Sequence, residues 1–357
     1  MTQTGVEVCG HGVAALAAAA VLGRAGIPIS LADTPSPARL VTLNRPTQDL
    51  LADLFGQGVL RGLAPSGGRV VDWETASAAT RIEDDALVTD LALLLARMRE
   101  HLALTRHPPP TPVIRIMAGG REANARLAAA PPLATCYWQR LRLSGQPTAT
   151  IARAGQCIRA GEHGWTFMAA RPAGGWFAQA TVFPADRARA AGLLAEAAGL
   201  ASDHSLPAPD GWIDTAPSLG SAVGLTGELR AGDAAAAYDP LCGDGCGHAL
   251  RSGVLAAAVA VRALDYPEEV KQLHSWYRNR LRLSFVRHLE SCAELLGRAR
   301  LAEHWQDYRV ALLRLATRQK LLSWDSNASY RLVNAQLVPD ANATSQGLRG
   351  THPKIRI

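Results

Sequence analysis

Residues 232–253, GDAAAAYDPLCGDGCGHALRSG, combine side chains that could bind either a metal ion or a nucleotide. Cys242, Cys246 and His248 are the residue types from which zinc sites are built. Zinc usually takes four ligands, and we find no second Cys/His pair in the sequence that would complete such a site. Because glycine lets the backbone approach a ligand closely, we interpret the stretch as a nucleotide-binding loop and predict no metal site.

Two parts of this stretch have chemistry that suits a dinucleotide. Asp233 follows a predicted short strand, where its carboxylate can accept hydrogen bonds from sugar or ribityl hydroxyls. The later glycines lead into a predicted helix, so backbone N–H groups without a helical partner face outward at its start. Such groups stabilise negative charge on a reduced ring, and the stretch therefore predicts a cradle for a redox dinucleotide.

A second glycine-rich turn, GHGVAA, matches the dinucleotide-binding pattern G-x-G-x-x-A with Gly10, Gly12 and Ala15. It follows a predicted strand and opens an alanine-rich helix, where Gly12 permits close approach to a pyrophosphate and Ala15 permits helix–strand packing. Asp33 lies 23 residues after Gly10, at the end of the next predicted strand. An acid there favours a free ribose 2′-hydroxyl, hence FAD or NAD rather than NADP. An ordinary glycine-rich turn remains the alternative.

The elements that must position these residues can be predicted from periodicity. Residues 6–32 form a strand–helix–strand unit. Short alternating runs between glycine turns over 133–183 predict an antiparallel sheet. Helical spacing of apolar residues predicts an amphipathic helix over 87–102 and further helices from 266 to about 322.

Composition narrows the class of protein. The chain has 357 residues, enough for two domains, and 48% are hydrophobic, enough for a sizeable core. The net charge is +6, but no Lys/Arg run is interleaved with aromatic residues, so no nucleic-acid partner is predicted. The first apolar run is broken by glycines and lacks a basic lead, and the longest later run is too short to span a bilayer. We therefore expect a soluble, cytoplasmic protein without a membrane span.

Several segments together resemble FAD-dependent monooxygenases and the related flavin halogenases. GDAAAAYDPLCGDGCGHALRSGVLAAA resembles the family's G-D-A…D-P…G-x-G…A-L…S-G segment, and GHGVAA resembles its dinucleotide motif. VIRIMAGGREANAR is similar to the D-A-x-G-R strand, with Met117 where the family usually has Asp. GWTFMAARPAGGWFAQATVF is similar to the substrate-domain hairpin. The resemblance covers roughly residues 5–300.

This resemblance implies FAD as the cofactor and an α/β fold with a Rossmann-like FAD-binding domain, an inserted antiparallel-sheet substrate domain and a C-terminal helical region. The predicted bounds are 1–132 with 222–265, then 133–221, then 266–357. The implied FAD contacts are Gly10, Gly12, Val13, Ala14 and Ala15 at the pyrophosphate turn, Asp33 at the adenosine ribose, Arg39 or Arg45 near the phosphates, Gly232 and Asp233 at the ribityl or pyrophosphate region, and Pro240, Gly243, Asp244 and Gly245 along the isoalloxazine. No catalytic side chain is assigned, and Asp244 stands where the family often has a neutral residue.

The activity implied is hydroxylation of an electron-rich aromatic ring through a flavin C4a-hydroperoxide formed with O2. Flavin halogenases of this group depend on a lysine in the first half of the chain and on a W-x-W-x-I-P motif. The first 270 residues contain no lysine and GWTFMAARP lacks that pattern, so halogenation is disfavoured.

A narrower resemblance is to the monooxygenases that hydroxylate a tryptophan within a protein during biogenesis of a tryptophylquinone cofactor in quinohemoprotein amine dehydrogenase systems. It implies a peptidyl substrate, O2, and electrons from NAD(P)H or a separate reductase. The alternatives are hydroxylation of a small aromatic metabolite, a flavin-dependent reductase or dehydrogenase, and a flavin-binding protein without activity. Aromatic residues concentrate in 133–221 and predict either the core of that sheet or an aromatic-lined pocket.

Overall fold

The structure, a computed structural model, describes residues 5–31, 39–73, 79–102, 112–124, 127–142, 155–200, 206–299, 301–322 and 330–340. Its helices are α1 (Val13–Arg24), α2 (Arg45–Phe55), α3 (Leu91–Glu100), α4 (Ala190–Ala198), α5 (Gly245–Asp265), α6 (Val270–Arg298) and α7 (Glu303–Leu321). Its strands are β1 (Gly5–Cys9), β2 (Ile29–Leu31), β3 (Leu40–Leu43), β4 (Ala64–Pro65), β5 (Arg69–Asp72), β6 (Thr80–Ile82), β7 (Leu87–Asp90), β8 (Pro112–Met117), β9 (Ala128–Ala129), β10 (Ala134–Leu141), β11 (Gln156–Gly161), β12 (Gly164–Ala170), β13 (Trp176–Val182), β14 (Gly211–Asp214), β15 (Ser218–Leu219), β16 (Leu229–Arg230), β17 (Ala236–Ala237), β18 (Tyr330–Val333) and β19 (Gln336–Pro339).

A parallel sheet in the order β16-β8-β1-β2 places three chain segments at one edge. Gly10 follows β1, Ala118 follows β8 and Ala231 follows β16. Parallel strands end at the same edge of a sheet, so these segments meet although they are far apart in sequence. Ligands of open α/β sheets bind outside that carboxyl edge, which makes it the first place to look for a site.

Small residues allow α1 and α5 to pack closely against each other beside this sheet. Residues 13–22 of α1 are buried, as the alanine-rich sequence leads one to expect. A Cβ added at Gly253 of α5 would overlap the backbone of Ala14, with its carbonyl carbon at 3.0 Å. The contact holds the start of α1, a helix end predicted to meet a dinucleotide, against α5.

A seven-stranded sheet in the order β14-β10-β13-β12-β11-β5-β6 forms the second layer. Its strands are antiparallel except for the pairing of β11 with β5, which joins residues distant in sequence. A smaller sheet has the strand order β3-β7-β4. The buried Arg171 donates to the Asp90 carboxylate at 2.6 Å and to the Gln139 carbonyl at 2.9 Å, tying the small sheet to the seven-stranded one.

The predicted α/β architecture, with an antiparallel sheet and C-terminal helices, is confirmed, whereas the domain bounds stay a prediction. One local prediction was wrong: residues 87–90 are not the first turn of a helix but form β7, which pairs with β3, and α3 begins at Leu91. Among the helices that the structure describes, none combines the length and apolar character needed to cross a membrane.

Candidate functional site

The β1–α1 turn has one glycine that the fold requires and one that it does not. Gly10 has a φ of +149°, and a Cβ there would lie 2.7 Å from the carbonyl carbon of Ala118 on the neighbouring chain segment. Gly12 is the N-cap of α1 with an ordinary φ of −86°, and a Cβ there would have no atom within 4 Å. Gly12 therefore faces an open space at the positive end of α1, which no side chain caps.

The remaining residues of the turn act through their backbone. Val13, Ala14 and Ala15 are buried, so their side chains pack inward and their N–H groups belong to the first turn of α1, which has no helical acceptors. Gly232, with a φ of +61°, would place a Cβ 3.0 Å from the Ala14 methyl group. The two glycine-rich stretches of the sequence are thus in contact at this point.

Asp233 lies next to the turn and faces an arginine. The Asp233 Oδ2 is 3.5 Å from the Arg121 Nε, and the Asn124 side chain donates to the Asp233 carbonyl oxygen at 2.8 Å. The carboxylate is 44% exposed, yet it lies in a cleft where surrounding protein raises its pKa, while Arg121 and Arg39 oppose that rise. A carboxylate in this setting can accept from hydroxyl groups of a ligand that fills the cleft.

Arg121 was missed in the sequence, although it occupies the Arg position of the D-A-x-G-R segment. It donates to the Ala216 carbonyl at 3.0 Å and to the Tyr238 carbonyl, besides its contact with Asp233. Its guanidinium thus joins the segments after β8, β14 and β16 in one place. The arginine of the D-A-x-G-R segment was the sequence signal that could have identified it.

Three charged residues after β2 are predicted FAD contacts, and the structure describes two of them. Asp33 lies outside the described residues. Arg39, just before β3, is exposed and close enough to lower the Asp233 pKa. Arg45, the first residue of α2, forms an exposed ion pair with Asp49 at 2.9 Å. Among the described residues, no contact holds Arg45 beside Asp233. The two arginines therefore differ, and Arg39 is the one associated with the site.

The turn that contains Pro240 and Gly243 is built around a buried acid. Asp239 accepts from the Leu241 N–H at 2.9 Å, and its own N–H donates to the His288 Nε2 at 2.8 Å. Gly243, with a φ of +63°, then reverses the chain into α5, which Gly245 begins. Burial raises the pKa of Asp239 to about 6. The acid shapes the turn at an electrostatic cost.

Asp239→Asn is expected to stabilise the protein at pH 8 by roughly 2 kcal/mol, because the side-chain oxygen can still accept from Leu241 while the buried charge is gone. A raised pKa in the folded state contributes stability below about pH 4 that is lost as the pH rises through about 6. The variant should therefore gain little at pH 4. Urea unfolding at both pH values measures this, and an equal gain at pH 4 and pH 8 would contradict it.

The Asp244 side chain does not cap α5 but bonds to side chains of α2 and α5. It is the N-cap of α5 but makes no capping bond. Its Oδ1 accepts from the Asn44 Nδ2 and the Thr47 Oγ1, both at 3.2 Å, and its Oδ2 pairs with Arg251 at 2.5 Å. The carboxylate thus joins the start of α2 to the first turns of α5, and Arg251 balances its charge.

His248 and the cysteines occupy a different arrangement from the one the sequence suggested. The His248 ring stacks on Tyr238 with centroids 3.8 Å apart, and its pKa is lowered to about 4 by burial and by Arg251, against the pull of Asp244. Cys242 does not join Cys246. Its Sγ lies 3.4 Å from the Sγ of Cys292 on α6.

His288 completes a cluster with Cys242 and Cys292, in which one potential ligand atom of each lies within 4.8 Å of the others. His288 and Cys292 are one helical turn apart and form a second Cys/His pair, so the expectation that the sequence holds no such pair was wrong. The His288 Nε2, however, already accepts the Asp239 N–H, so its lone pair is committed to the turn. The cluster therefore packs around that turn.

Comparisons with known proteins show which solved structures share this fold. No family model matches the chain, and no curated protein does. Among solved structures, it is similar to QhpG, a peptidyl tryptophan dihydroxylase essential for tryptophylquinone cofactor biogenesis, with 19% identity over 95% of this chain and 86% of that one and a TM-score of 0.70. It is similar to the flavin-dependent halogenase CmlS, with 16% identity, coverage of 95% and 84%, and a TM-score of 0.72.

A third similar structure is aklavinone-11 hydroxylase, solved with FAD and aklavinone, at 15% identity over 84% of this chain and 70% of that one, with a TM-score of 0.60. Identities this low support a shared fold, and the substrate and the site residues depend on this chain's own side chains. At the level of the fold, the resemblance inferred from the sequence is confirmed: the chain has the fold of FAD-dependent monooxygenases and flavin-dependent halogenases.

Proposed function

We propose that this protein binds FAD and is an FAD-dependent monooxygenase that hydroxylates an aromatic ring. The observation that carries the proposal is the cradle at the carboxyl edge of the parallel sheet. Gly12 leaves open space at the positive end of α1, while Asp233 and Arg121 line the cleft beside it. Open space, helix-end N–H groups and a carboxylate are what a pyrophosphate joined to hydroxyl-bearing chains requires.

The residues of the chain have distinct parts in this proposal. The N–H groups at the start of α1 bind the pyrophosphate, and Asp233 accepts from ribityl or ribose hydroxyls. The turn from Pro240 to Gly245 lies along the isoalloxazine, and the N-terminus of α5 stabilises negative charge there. Bound FAD supplies the activation of O2, and the protein orients the aromatic ring and keeps water away. NAD(P)H or a separate reductase supplies the electrons.

For the substrate, we propose a tryptophan within a protein or peptide. The similarity to QhpG across 95% of this chain supports it, as does the absence of the halogenase lysine from the first 270 residues. The sheet itself shows that part of its aromatic set is core: Trp138, Trp165 and Phe177 are buried. Tyr137 and Phe167 stay partly exposed beside β3 and β7, and we assign them to the surface that meets the substrate ring.

The first test is whether the purified protein is yellow and releases FAD on denaturation. A protein that neither carries nor binds FAD would contradict the cofactor and the reaction together. The second test incubates chemically reduced, FAD-loaded protein and O2 with tryptophan-containing peptides or with small aromatic compounds. A peptide that gains oxygen mass on its indole supports the peptidyl substrate. Oxygen gained on the small compound alone supports a metabolite hydroxylase, represented structurally by aklavinone-11 hydroxylase.

A further inference from the structure

A cavity of about 860 Å³ lies between α5, α6 and β18, and Cys242 and Asp244 of the turn that precedes α5 form one end of it. Gly12, Arg121 and Asp233 are not among its lining residues. It meets the predicted cofactor contacts at Asp244, whose carboxylate is already bonded to Arg251, Asn44 and Thr47. Its volume is in the range of pockets that hold small organic ligands.

The walls of this cavity combine apolar side chains with an excess of positive charge. Leucines from all three elements contribute, as does Trp276. Four arginines line it against the one carboxylate of Asp244, and that carboxylate is paired. Unpaired charge and exposed apolar surface both cost free energy, so their combination in one cavity favours a ligand that covers both.

Of the four, only Arg251 has an acidic partner in the described parts of the chain; Arg280 and Arg287 are the unpaired two that lie on α6, and Arg331 lies on β18. Arg280 lies over the Trp276 ring, 5.3 Å from its centroid, and is partly buried. Burial and the charge of Arg287 both lower the pKa of Arg280, and both arginines line the same cavity, so the two guanidinium groups repel each other across it. An anion between them would relieve that repulsion and accept bidentate hydrogen bonds, which guanidinium groups are suited to donate.

We propose that this cavity binds a small amphipathic anion, with Arg280 and Arg287 holding its charged head and the leucines and Trp276 enclosing its apolar body. This site is additional to the proposed FAD and substrate sites. A carboxylate or a phosphate monoester has the required head, and a chain or ring of moderate size suits the walls. The ligand would contact the first turns of α5 without entering the cleft at Asp233.

Isothermal titration of the full chain with decanoate, decyl phosphate and decanol tests the proposal. Decanoate or decyl phosphate should bind, and whichever binds more tightly identifies the head group. Decanol should bind at least about tenfold more weakly than that anion, which corresponds to about 1.4 kcal/mol. Absence of binding by both anions, or equal binding of decanol, would overturn the proposal.

The double variant Arg280→Gln/Arg287→Gln should weaken anion binding by about tenfold or more and leave the weak binding of decanol unchanged. Arg278→Gln is the matched control, since Arg278 is exposed on the same helix and lines a different cavity. Circular dichroism of each variant confirms that it is folded. An equal loss in the control would assign the effect to the general charge of α6 and contradict a site at Arg280 and Arg287.

Discussion

Gly10→Ala should lower the free energy of unfolding by about 2–5 kcal/mol, through overpacking against a backbone carbonyl and through a strained φ. The added Cβ would overlap the Ala118 carbonyl group, which belongs to the neighbouring strand segment and cannot rotate away as a side chain would. The φ of +149° is one that alanine rarely adopts. Urea unfolding of the FAD-free protein measures the loss.

Gly12→Ala is the matched variant, because it adds the same methyl group two residues later. Its φ is ordinary and its Cβ meets no protein atom, so the FAD-free protein should lose at most about 1 kcal/mol, the cost of alanine at an N-cap. The methyl group would instead occupy the space proposed for the pyrophosphate, and the affinity for FAD should fall at least about tenfold. Quenching of flavin fluorescence during titration measures it. Unchanged affinity in Gly12→Ala would remove the β1–α1 turn from the proposed FAD site.

Local patterns predicted the elements whose partners are close in the chain. The β1–α1–β2 unit followed from a glycine turn, an alanine-rich helix and an apolar strand, all within residues 6–32. Residues 87–90 were assigned to a helix because their apolar spacing continues that of α3. Their pairing with β3, more than forty residues earlier, outweighs helical propensity, and such a pairing has no local signature.

The site shows the same limit. Asp233 could be predicted from the G-D-A motif, but Arg121 acts on it from a segment 112 positions earlier. Asp244 had no explanation from the sequence, because Asn44 and Thr47, which hold it, belong to a distant helix start. Sequence patterns therefore identified the residues nearest to the motifs, and only the sheet order revealed the residues that orient them.

Arg121→Met should both destabilise the protein and alter how FAD binding depends on pH. Loss of the guanidinium leaves the carbonyl groups of Ala216 and Tyr238 without this donor, which is expected to cost about 2–4 kcal/mol. It also removes a positive charge that lowers the Asp233 pKa, so that pKa should rise further. Asp233 would then be protonated up to a higher pH, and the affinity for FAD should begin to fall at a higher pH as the solution is acidified.

Asp233→Asn separates the two effects of Arg121. It removes the titrating carboxylate while the bonds from Arg121 to the two carbonyl groups remain, so its stability should stay near that of the wild type. Its FAD affinity should be weaker at pH 8 and nearly independent of pH between 5 and 8. Titrations with FAD across that range, alongside urea unfolding, measure both quantities. If Arg121→Met lost stability but kept the wild-type pH profile, Arg121 would serve the fold alone, and Asp233 would not depend on it for its charge.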